Sequence, residues 1–172
     1  MRNSINIEKY QNGQEKLIYQ LIKKVYDDFV AIDYSEEGNV FFYDWIAPSK
    51  IASRQQARVN LWVAMDGTKI VGMIEMRAGN IISLLFVDKK YMRQGIARRL
   101  FDEARQECLR RNPKLNKFEV HASPYSVPAY EKLGFEATGG MQEEHGIKYL
   151  PMECPVTPPS RRQARVHKRP GS

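Results

Sequence analysis

The chain has 172 residues, 42% of them hydrophobic, and a formal net charge of +7. This length fits one domain with a substantial core, and two cysteines are too few for a disulfide framework. The N-terminus lacks the apolar segment of a signal peptide, and no apolar run is long enough to cross a bilayer. We therefore expect a soluble, cytoplasmic protein that does not contact a membrane.

The positive charge is concentrated at the C-terminus. Residues 155–172 contain five Lys and Arg residues and no acid, so the remainder of the chain carries only +2. Their composition, rich in Pro, Ser, Arg and Gln, is typical of disorder. We predict a folded domain over residues 1–154 and a disordered basic tail over 155–172, and a nucleic-acid partner only through that tail.

The first part of the chain predicts a strand, a helix and an aromatic segment. Residues 4–7 form a short predicted strand, and apolar residues at helical spacing predict an amphipathic helix over 14–32. Acids and Gly38 break the pattern over 33–39. Residues 40–46 contain four aromatics before Pro48, so a second short helix is expected nearby. These aromatics belong either to the core or to a substrate pocket.

The middle of the chain predicts three strands connected by tight turns. Asp66-Gly67 is a strong hairpin signal, and Gly79-Asn80 marks a second turn. The strands lie over residues 58–65, 69–77 and 81–87.

The last part predicts a helix–strand–helix–hairpin order. Apolar residues at helical spacing, including Leu100 and Cys108, predict a helix from Gly95 to Asn112. A strand, a short helix and a closing hairpin follow over 118–122, 126–133, and 135–141 with 146–152. The whole pattern predicts an α/β fold with a single mixed, mostly antiparallel sheet and flanking helices.

The turn before the long helix is a candidate anion site. Gly95 allows a backbone conformation that other residues avoid, and a helix start has free N–H groups and the positive end of the helix dipole. Arg93, Arg98 and Arg99 add positive charge. A phosphate or pyrophosphate would be stabilised here. The alternative is a structural turn with solvated arginines, and neither the GxGxxG nor the GxxxxGK[ST] motif is present.

Two segments carry a family resemblance: LFVDKKYMRQGIA, residues 85–97, and ASPYSVPAYEKLGF, residues 122–135. With the element order, they resemble the acyl-CoA motif and the C-terminal motif of the GNAT superfamily of acyl-CoA-dependent N-acyltransferases. The resemblance covers approximately residues 5–152. It implies that the strand at 118–122 splays away from the strand at 81–87 and leaves a central opening for the cofactor.

The resemblance implies acetyl-CoA as the acyl donor and assigns its contacts. Backbone groups of the strand at 81–87 would bind the pantetheine arm, and N–H groups at the start of the helix after Gly95 would bind the pyrophosphate. Two serines would contact coenzyme A or cap the last helix. We favour capping for Ser126. Met92 replaces a frequent Gln or Arg of the family, and backbone donors remain. The implied residues are Leu85, Phe86, Val87, Arg93, Gln94, Gly95, Ile96, Ala97, Arg98, Ser123 and Ser126.

The resemblance also implies catalytic roles. Tyr130 matches the tyrosine beside the thioester sulfur, where a phenol is a suitable acid for the leaving thiolate. The oxyanion donor would be the N–H of Val87 or Phe86. Glu75 interrupts an apolar strand and is a candidate general base; the alternative is that it pairs with Arg77 or a neighbouring strand. His121 is a second candidate base. No metal-ligand spacing appears, so we expect no metal.

These features favour an N-acetyltransferase that transfers an acetyl group to a primary amine by direct attack in a ternary complex. The amine belongs to a small molecule or a protein. Asp33, Glu36 and Glu37 favour a cationic acceptor. The alternative is a regulatory module that binds acyl-CoA without transfer. A homodimer is a further expectation.

Overall fold

The computed structural model describes residues 4–156, which form eight strands and five α-helices. The strands are β1 (Asn6–Lys9), β2 (Leu61–Asp66), β3 (Lys69–Arg77), β4 (Ile81–Val87), β5 (Lys117–Ala122), β6 (Glu136–Ala137), β7 (Gln142–Glu144) and β8 (Ile147–Pro155). The helices are α1 (Glu15–Phe29), α2 (Glu36–Trp45), α3 (Pro48–Arg54), α4 (Ile96–Arg111) and α5 (Val127–Lys132).

All eight strands belong to one open sheet. The order is β1-β2-β3-β4-β5-β8-β6, and β7 pairs with β8. Within the described residues, β4 and β5 are the only parallel pair, and every other pair is antiparallel. The predicted mixed, mostly antiparallel sheet with flanking helices is therefore confirmed.

The central strands β4 and β5 are paired only where they begin. Their ladder consists of Ile81 with Glu119 and Ile82 with Val120. Beyond these pairs, residues 83–87 of β4 and 121–122 of β5 have no partner across the gap among the residues that the structure describes. This gap, called the strand opening below, is the predicted splay, and it confirms that part of the predicted fold class.

Two apolar cores cover the two faces of the sheet. Alternate residues of each strand point to opposite faces, so that Trp62 of β2 packs in the core with α4 and α5, whereas Leu61 and Val63 pack in the core with α1 and α3. Cys108 lies in the first core and is 3% exposed, as the helical spacing predicts. The strand opening therefore has α4 and α5 on one side and α1–α3 on the other.

The structure corrects the sequence prediction in the segment after α1. Residues 33–39 were expected to be a break, but α2 already begins at Glu36, and a separate helix α3 follows it. The Oγ of Ser35 caps α2 by accepting a hydrogen bond from the Gly38 N–H at 3.1 Å. The predicted first strand lies two residues later, at β1, and the closing hairpin contains three strands rather than two.

A contact between α2 and the β7–β8 turn connects distant parts of the chain. The Ser35 N–H donates to the carbonyl oxygen of Gly146 at 3.0 Å. A Cβ on Gly38 would lie 2.3 Å from the same oxygen, so only glycine allows this approach. Next to it, the rings of Phe41 and His145 are stacked, with centres 5.4 Å apart.

At the C-terminus, β8 continues through Pro155, one residue into the predicted tail. The rest of the predicted disordered tail, residues 157–172, lies outside the described residues. Over residues 4–156, no helix combines the length and the apolar character that a membrane crossing requires.

Candidate active site

The backbone of β4 offers hydrogen-bonding groups to the strand opening. The Asp88 N–H, just after β4, donates to the Val71 carbonyl oxygen at 2.8 Å and therefore points towards β3. Because successive residues of a strand direct their amides to opposite edges, Phe86 also points towards β3, whereas Leu85 and Val87 point into the opening. Of the two predicted oxyanion donors, Val87 is thus the one that faces the gap.

Six consecutive backbone amides at the start of α4, residues 93–98, donate no hydrogen bond within the part of the chain that is described. We call them the α4 amide row. Arg93 and Gly95 both have left-handed backbone conformations, with φ of 64° and 78°, and alternation of this kind turns neighbouring amides towards one concave site. A Cβ on Gly95 would meet no atom of the described residues within 4 Å. The row therefore has the donors and the space to bind a phosphate group.

The basic side chains of this segment have different partners. Arg98 donates through Nη2 to the Lys132 carbonyl oxygen and connects α4 with α5. Arg99 donates to the Ile5 carbonyl oxygen at 2.7 Å. The Arg93 side chain is exposed. Arg98 and Arg99 are thus held by backbone carbonyl oxygens, and an anion at the α4 amide row would be bound by the backbone amides and the exposed Arg93 side chain.

A buried carboxylate that sequence analysis missed supports the loop before the row. Asp88 is 3% exposed and accepts a hydrogen bond from the Lys90 N–H at 2.9 Å. Burial alone would raise the pKa of Asp88, but the Lys90 amide and the Lys24 ammonium hold it below its usual value. Tyr91 adds a hydrogen bond to Asp66 at 2.6 Å. No sequence pattern singles out Asp88, because its two ammonium partners, Lys24 and Lys69, are distant in the chain.

Tyr130 lies in the core beneath the opening and is 6% exposed. Its ring packs edge-on against Phe135, with centres 5.5 Å apart. Burial, and to a smaller extent the nearby Tyr34, raises the pKa of the Tyr130 phenol. Within residues 4–156, its hydroxyl forms no hydrogen bond. Tyr130 is thus a neutral phenol whose hydroxyl has no hydrogen-bond partner among the described residues.

The two predicted cofactor serines interact with each other. The Oγ atoms of Ser123 and Ser126 are 2.8 Å apart, and the Ser126 hydroxyl donates to the Ser123 carbonyl oxygen at 2.9 Å. Ser126 makes no capping hydrogen bond to α5, so the capping role favoured for it is wrong. The reason is its helical backbone, with φ of −86° and ψ of −10°, whereas a capping residue is normally extended.

Glu75 is 2% exposed and takes part in a buried network. Its carboxylate accepts hydrogen bonds from Arg54 Nε at 3.0 and 3.2 Å and from Gln55 Nε2 at 2.6 Å. Burial raises the pKa of Glu75, while Arg54 and Gln55 act in the opposite direction. The expected partner Arg77 is exposed, and the true partners come from α3 and the residue after it.

Arg54 connects this network to α2. Its guanidinium lies 4.2 Å from the centre of the Trp45 ring and donates from Nη1 to the Trp45 carbonyl oxygen at 2.7 Å. Arg54 and Gln55 were not identified from the sequence, because they precede Glu75 by 21 and 20 residues. The role of Glu75 as a base remains a prediction.

His121 lies on the side of β5 that faces away from α4, at the splayed end. It is exposed, and its ring stacks on Tyr149 of β8 with centres 4.1 Å apart. The aromatics of α2 approach the same region, since Phe42 lies 6.1 Å from Phe86 of β4 and stacks on Tyr26 at 3.9 Å. Phe42 packs against the core and borders the end of β4, and the substrate pocket remains a prediction.

The comparisons with known proteins agree with this geometry. A family model described as an acetyltransferase (GNAT) domain matches residues 30–156, which is most of the chain. The chain therefore belongs to the GNAT acetyltransferase family. Acyl transfer is the chemistry of this family, and coenzyme A thioesters are its donors. Of the curated protein sequences compared with the chain, none matches it.

Solved structures show the same fold at low sequence identity. A GCN5-related N-acetyltransferase from Rhodopseudomonas palustris has a TM-score of 0.75 and 18% identity, covering 91% of this chain and 98% of that one. PaiA N-acetyltransferase from Thermoplasma acidophilum, in complex with coenzyme A, has a TM-score of 0.70 and 17% identity, covering 89% and 99%. The ribosomal-protein-S18-alanine N-acetyltransferase of Escherichia coli has a TM-score of 0.61 and 17% identity, covering 92% and 97%.

Proposed function

We propose that this protein is an N-acetyltransferase that transfers the acetyl group of acetyl-CoA to a primary amine by direct attack in a ternary complex. The observation that carries the proposal is the α4 amide row beside the strand opening, whose six donors have no partner among residues 4–156. Family membership supports a coenzyme A thioester as the ligand. Its pyrophosphate would bind the row, and its pantetheine arm would pair with Leu85 and Val87 as an added strand.

The chain supplies a donor for each charge that develops during transfer. The amine nitrogen attacks the thioester carbonyl carbon, and the Val87 N–H stabilises the resulting oxyanion. As the C–S bond breaks, Tyr130 donates its proton to the leaving sulfur and recovers one from solvent. The amine loses a proton because only its free base is nucleophilic. The products are the acetylated amine and coenzyme A.

We propose Glu75 as the base, with His121 as the second candidate. The raised pKa of Glu75 supports a base. Its hydrogen bonds to Arg54 and Gln55 favour a structural role instead, since both carboxylate oxygens are occupied. These roles make different predictions for stability and turnover.

A cationic amine is the proposed acceptor. The contact between Ser35 and Gly146 brings Glu36 and Glu37 of α2 close to the end of β7, which contributes Glu143 and Glu144. All four carboxylates are exposed, and no Lys or Arg within the described residues forms an ion pair with them. Their combined potential attracts positive charge.

The test is release of free thiol from acetyl-CoA in the presence of polyamines, amino acids, aminoglycosides or lysine peptides. We expect amine-dependent release for at least one class and an increase in acceptor mass by one acetyl group. Binding of acetyl-CoA without release would favour a regulatory module. If the protein neither binds acetyl-CoA nor releases thiol, the proposal is wrong.

A further inference from the structure

Two aromatic rings meet at the open end of the strand opening. Phe29, the last residue of α1, stacks on Tyr125 with ring centres 4.7 Å apart and planes 11° apart. Tyr125 lies three residues beyond the end of β5 and is 44% exposed. We call these two residues the Phe29–Tyr125 pair. It connects the segment that leaves β5 with a helix that packs on β3 and β4.

The same rings contact the segment that leaves β4. Lys89 Nζ lies 5.8 Å from the centre of the Phe29 ring, and the Tyr125 hydroxyl lies 4.0 Å from Met92 Sδ. Lys89 and Met92 precede the α4 amide row in the chain. The pair therefore extends across the end of the opening, from the exit of β5 to the exit of β4, beside the proposed phosphate site.

We infer that the Phe29–Tyr125 pair covers the pantetheine arm of the bound thioester and slows its departure. This inference depends on the proposed function, in which the pyrophosphate binds at residues 93–98 and the thioester lies near Val87 and Tyr130. The arm that joins these two ends passes Met92 and Tyr125. Aromatic faces at this point cover its methylene groups and exclude water.

The ring of Tyr125, and not its hydroxyl, is the group that covers the pantetheine arm. Within residues 4–156, the only hydrogen-bond partner of that hydroxyl is the thioether of Met92, which is a weak acceptor. The stacking on Phe29, in contrast, is close, and the two ring planes are nearly parallel. Tyr125→Phe retains the stacked ring, whereas Tyr125→Ala and Phe29→Ala each remove it.

The experiment measures dissociation of acetyl-CoA from the full chain by stopped-flow displacement, with the equilibrium affinity from calorimetry. We expect Tyr125→Ala and Phe29→Ala to dissociate about fivefold faster than the unsubstituted chain, because an aromatic pair adds a modest energy beyond simple burial. Tyr125→Phe should match the unsubstituted chain. Phe41→Ala is the control, since it removes another half-exposed stacked ring at a different place, beside His145.

The outcomes separate this inference from the proposed function. An unchanged dissociation rate for Tyr125→Ala overturns the inference, even if the association rate changes. A Phe41→Ala variant that dissociates as fast as Tyr125→Ala also overturns it, because the effect would then not be specific to the pair. If the unsubstituted chain does not bind acetyl-CoA, the proposed function is wrong as well. Tyr125 is half-exposed, so Tyr125→Ala is expected to fold even if Phe29→Ala does not.

Discussion

The α4 amide row and the Glu75 network satisfy their polar groups in opposite ways. In the part of the chain that is described, the six amides of the row have no hydrogen-bond partner, and they surround Gly95, whose backbone is left-handed. The network buries a carboxylate whose two oxygens accept hydrogen bonds from Arg54 and Gln55. Unpaired donors at an open site imply a ligand, whereas buried groups paired internally imply a structural role. We therefore propose ligand binding at the row, and the contacts of Glu75 support a structural role for the network.

The largest expected effect comes from placing a carboxylate in the row. Gly95→Glu adds a negative charge close to the proposed pyrophosphate, and two unit charges 4 Å apart repel by about 4 kcal/mol near a protein surface. We expect the affinity for acetyl-CoA, measured by calorimetry, to fall by about 100-fold or more.

Gly79→Glu is a matched control for this variant. Gly79 also has a left-handed conformation, with φ of 82°, and its Cβ would likewise meet no atom within 4 Å. It lies in the β3–β4 turn, at the far end of β4 from the row. Both variants therefore have similar backbone strain and charge. Equal affinity losses in the two would contradict the phosphate assignment.

The second effect tests Tyr130 as the acid. Tyr130→Phe should lower kcat by about 100-fold, the lower end of the range for general acid–base catalysis, and leave the affinity for acetyl-CoA nearly unchanged. Because burial raises the pKa of Tyr130, the phenol stays protonated, so its ionisation should not reduce kcat between about pH 7 and pH 9.5. Steady-state kinetics across this pH range measure the fall in kcat and its pH dependence.

Tyr10→Phe is the control for Tyr130→Phe. Tyr10 is also buried, but its hydroxyl donates to Glu15 at 2.7 Å on the α1 side of the sheet. This variant should lose some stability and retain kcat. A Tyr130→Phe enzyme with unchanged kcat would remove the acid role from the mechanism.

The third effect separates the two roles of Glu75. Glu75→Gln leaves the Arg54 guanidinium without its counter-charge, and the partial exposure of Arg54 limits the loss of unfolding free energy to about 2–3 kcal/mol. Urea denaturation measures this value. If Glu75 is the base, kcat falls much further than the remaining folded fraction explains.

A double variant completes this test. Replacing both Arg54 and Glu75 with apolar residues of similar volume, Arg54→Met with Glu75→Leu, should recover most of the lost stability because no buried charge is left unpaired. Recovery of kcat together with stability would show that Glu75 is structural. A stable double variant that remains inactive would support its role as the base.

The row could be predicted from the sequence, but the network could not. Strands β3 and β4 and helix α4 have the predicted bounds because glycine turns and Asn112-Pro113 delimit them locally. The amides of the row follow from the helix start itself, whatever the side chains are. Backbone sites of this kind are encoded by local signals.

Contacts between distant segments explain what the sequence did not predict. The early start of α2 depends on Ser35 as its cap and on Gly146 packing against Gly38, which are more than 100 residues apart. For Glu75 the sequence suggested Arg77 or a neighbouring strand as a partner, because Arg54 comes near it only when α3 packs on the sheet. The strand opening likewise depends on where the pairing of β4 with β5 stops. The family resemblance, and not a local pattern, predicted that these strands splay apart.

The smallest expected effect is the loss of stability when Glu107, a carboxylate paired near the surface, is replaced. Comparison with Glu75 tests whether burial or pairing determines how much unfolding free energy is lost. Glu107 of α4 accepts hydrogen bonds from Arg110 at 2.7 and 2.9 Å and from Arg111 at 3.0 Å. The Arg110 hydrogen bond, opposed by partial burial and assisted by Lys9, lowers the pKa of Glu107 to about 2. Because the folded-state pKa lies below the unfolded value of 4.5, this stabilisation is present above pH 4.5 and is lost as the pH falls towards 2.

Glu107→Gln should lower the unfolding free energy at pH 7 by only about 1–2 kcal/mol, since Arg110 and Lys9 are largely exposed. It should also make the unfolding free energy depend less on pH between about pH 2 and pH 4.5. Glu103 is an exposed acid on the same helix, so Glu103→Gln should change neither the unfolding free energy at pH 7 nor its dependence on acid pH. If Glu107→Gln lowered the unfolding free energy as much as Glu75→Gln, pairing and not burial would determine how much stability these carboxylates contribute.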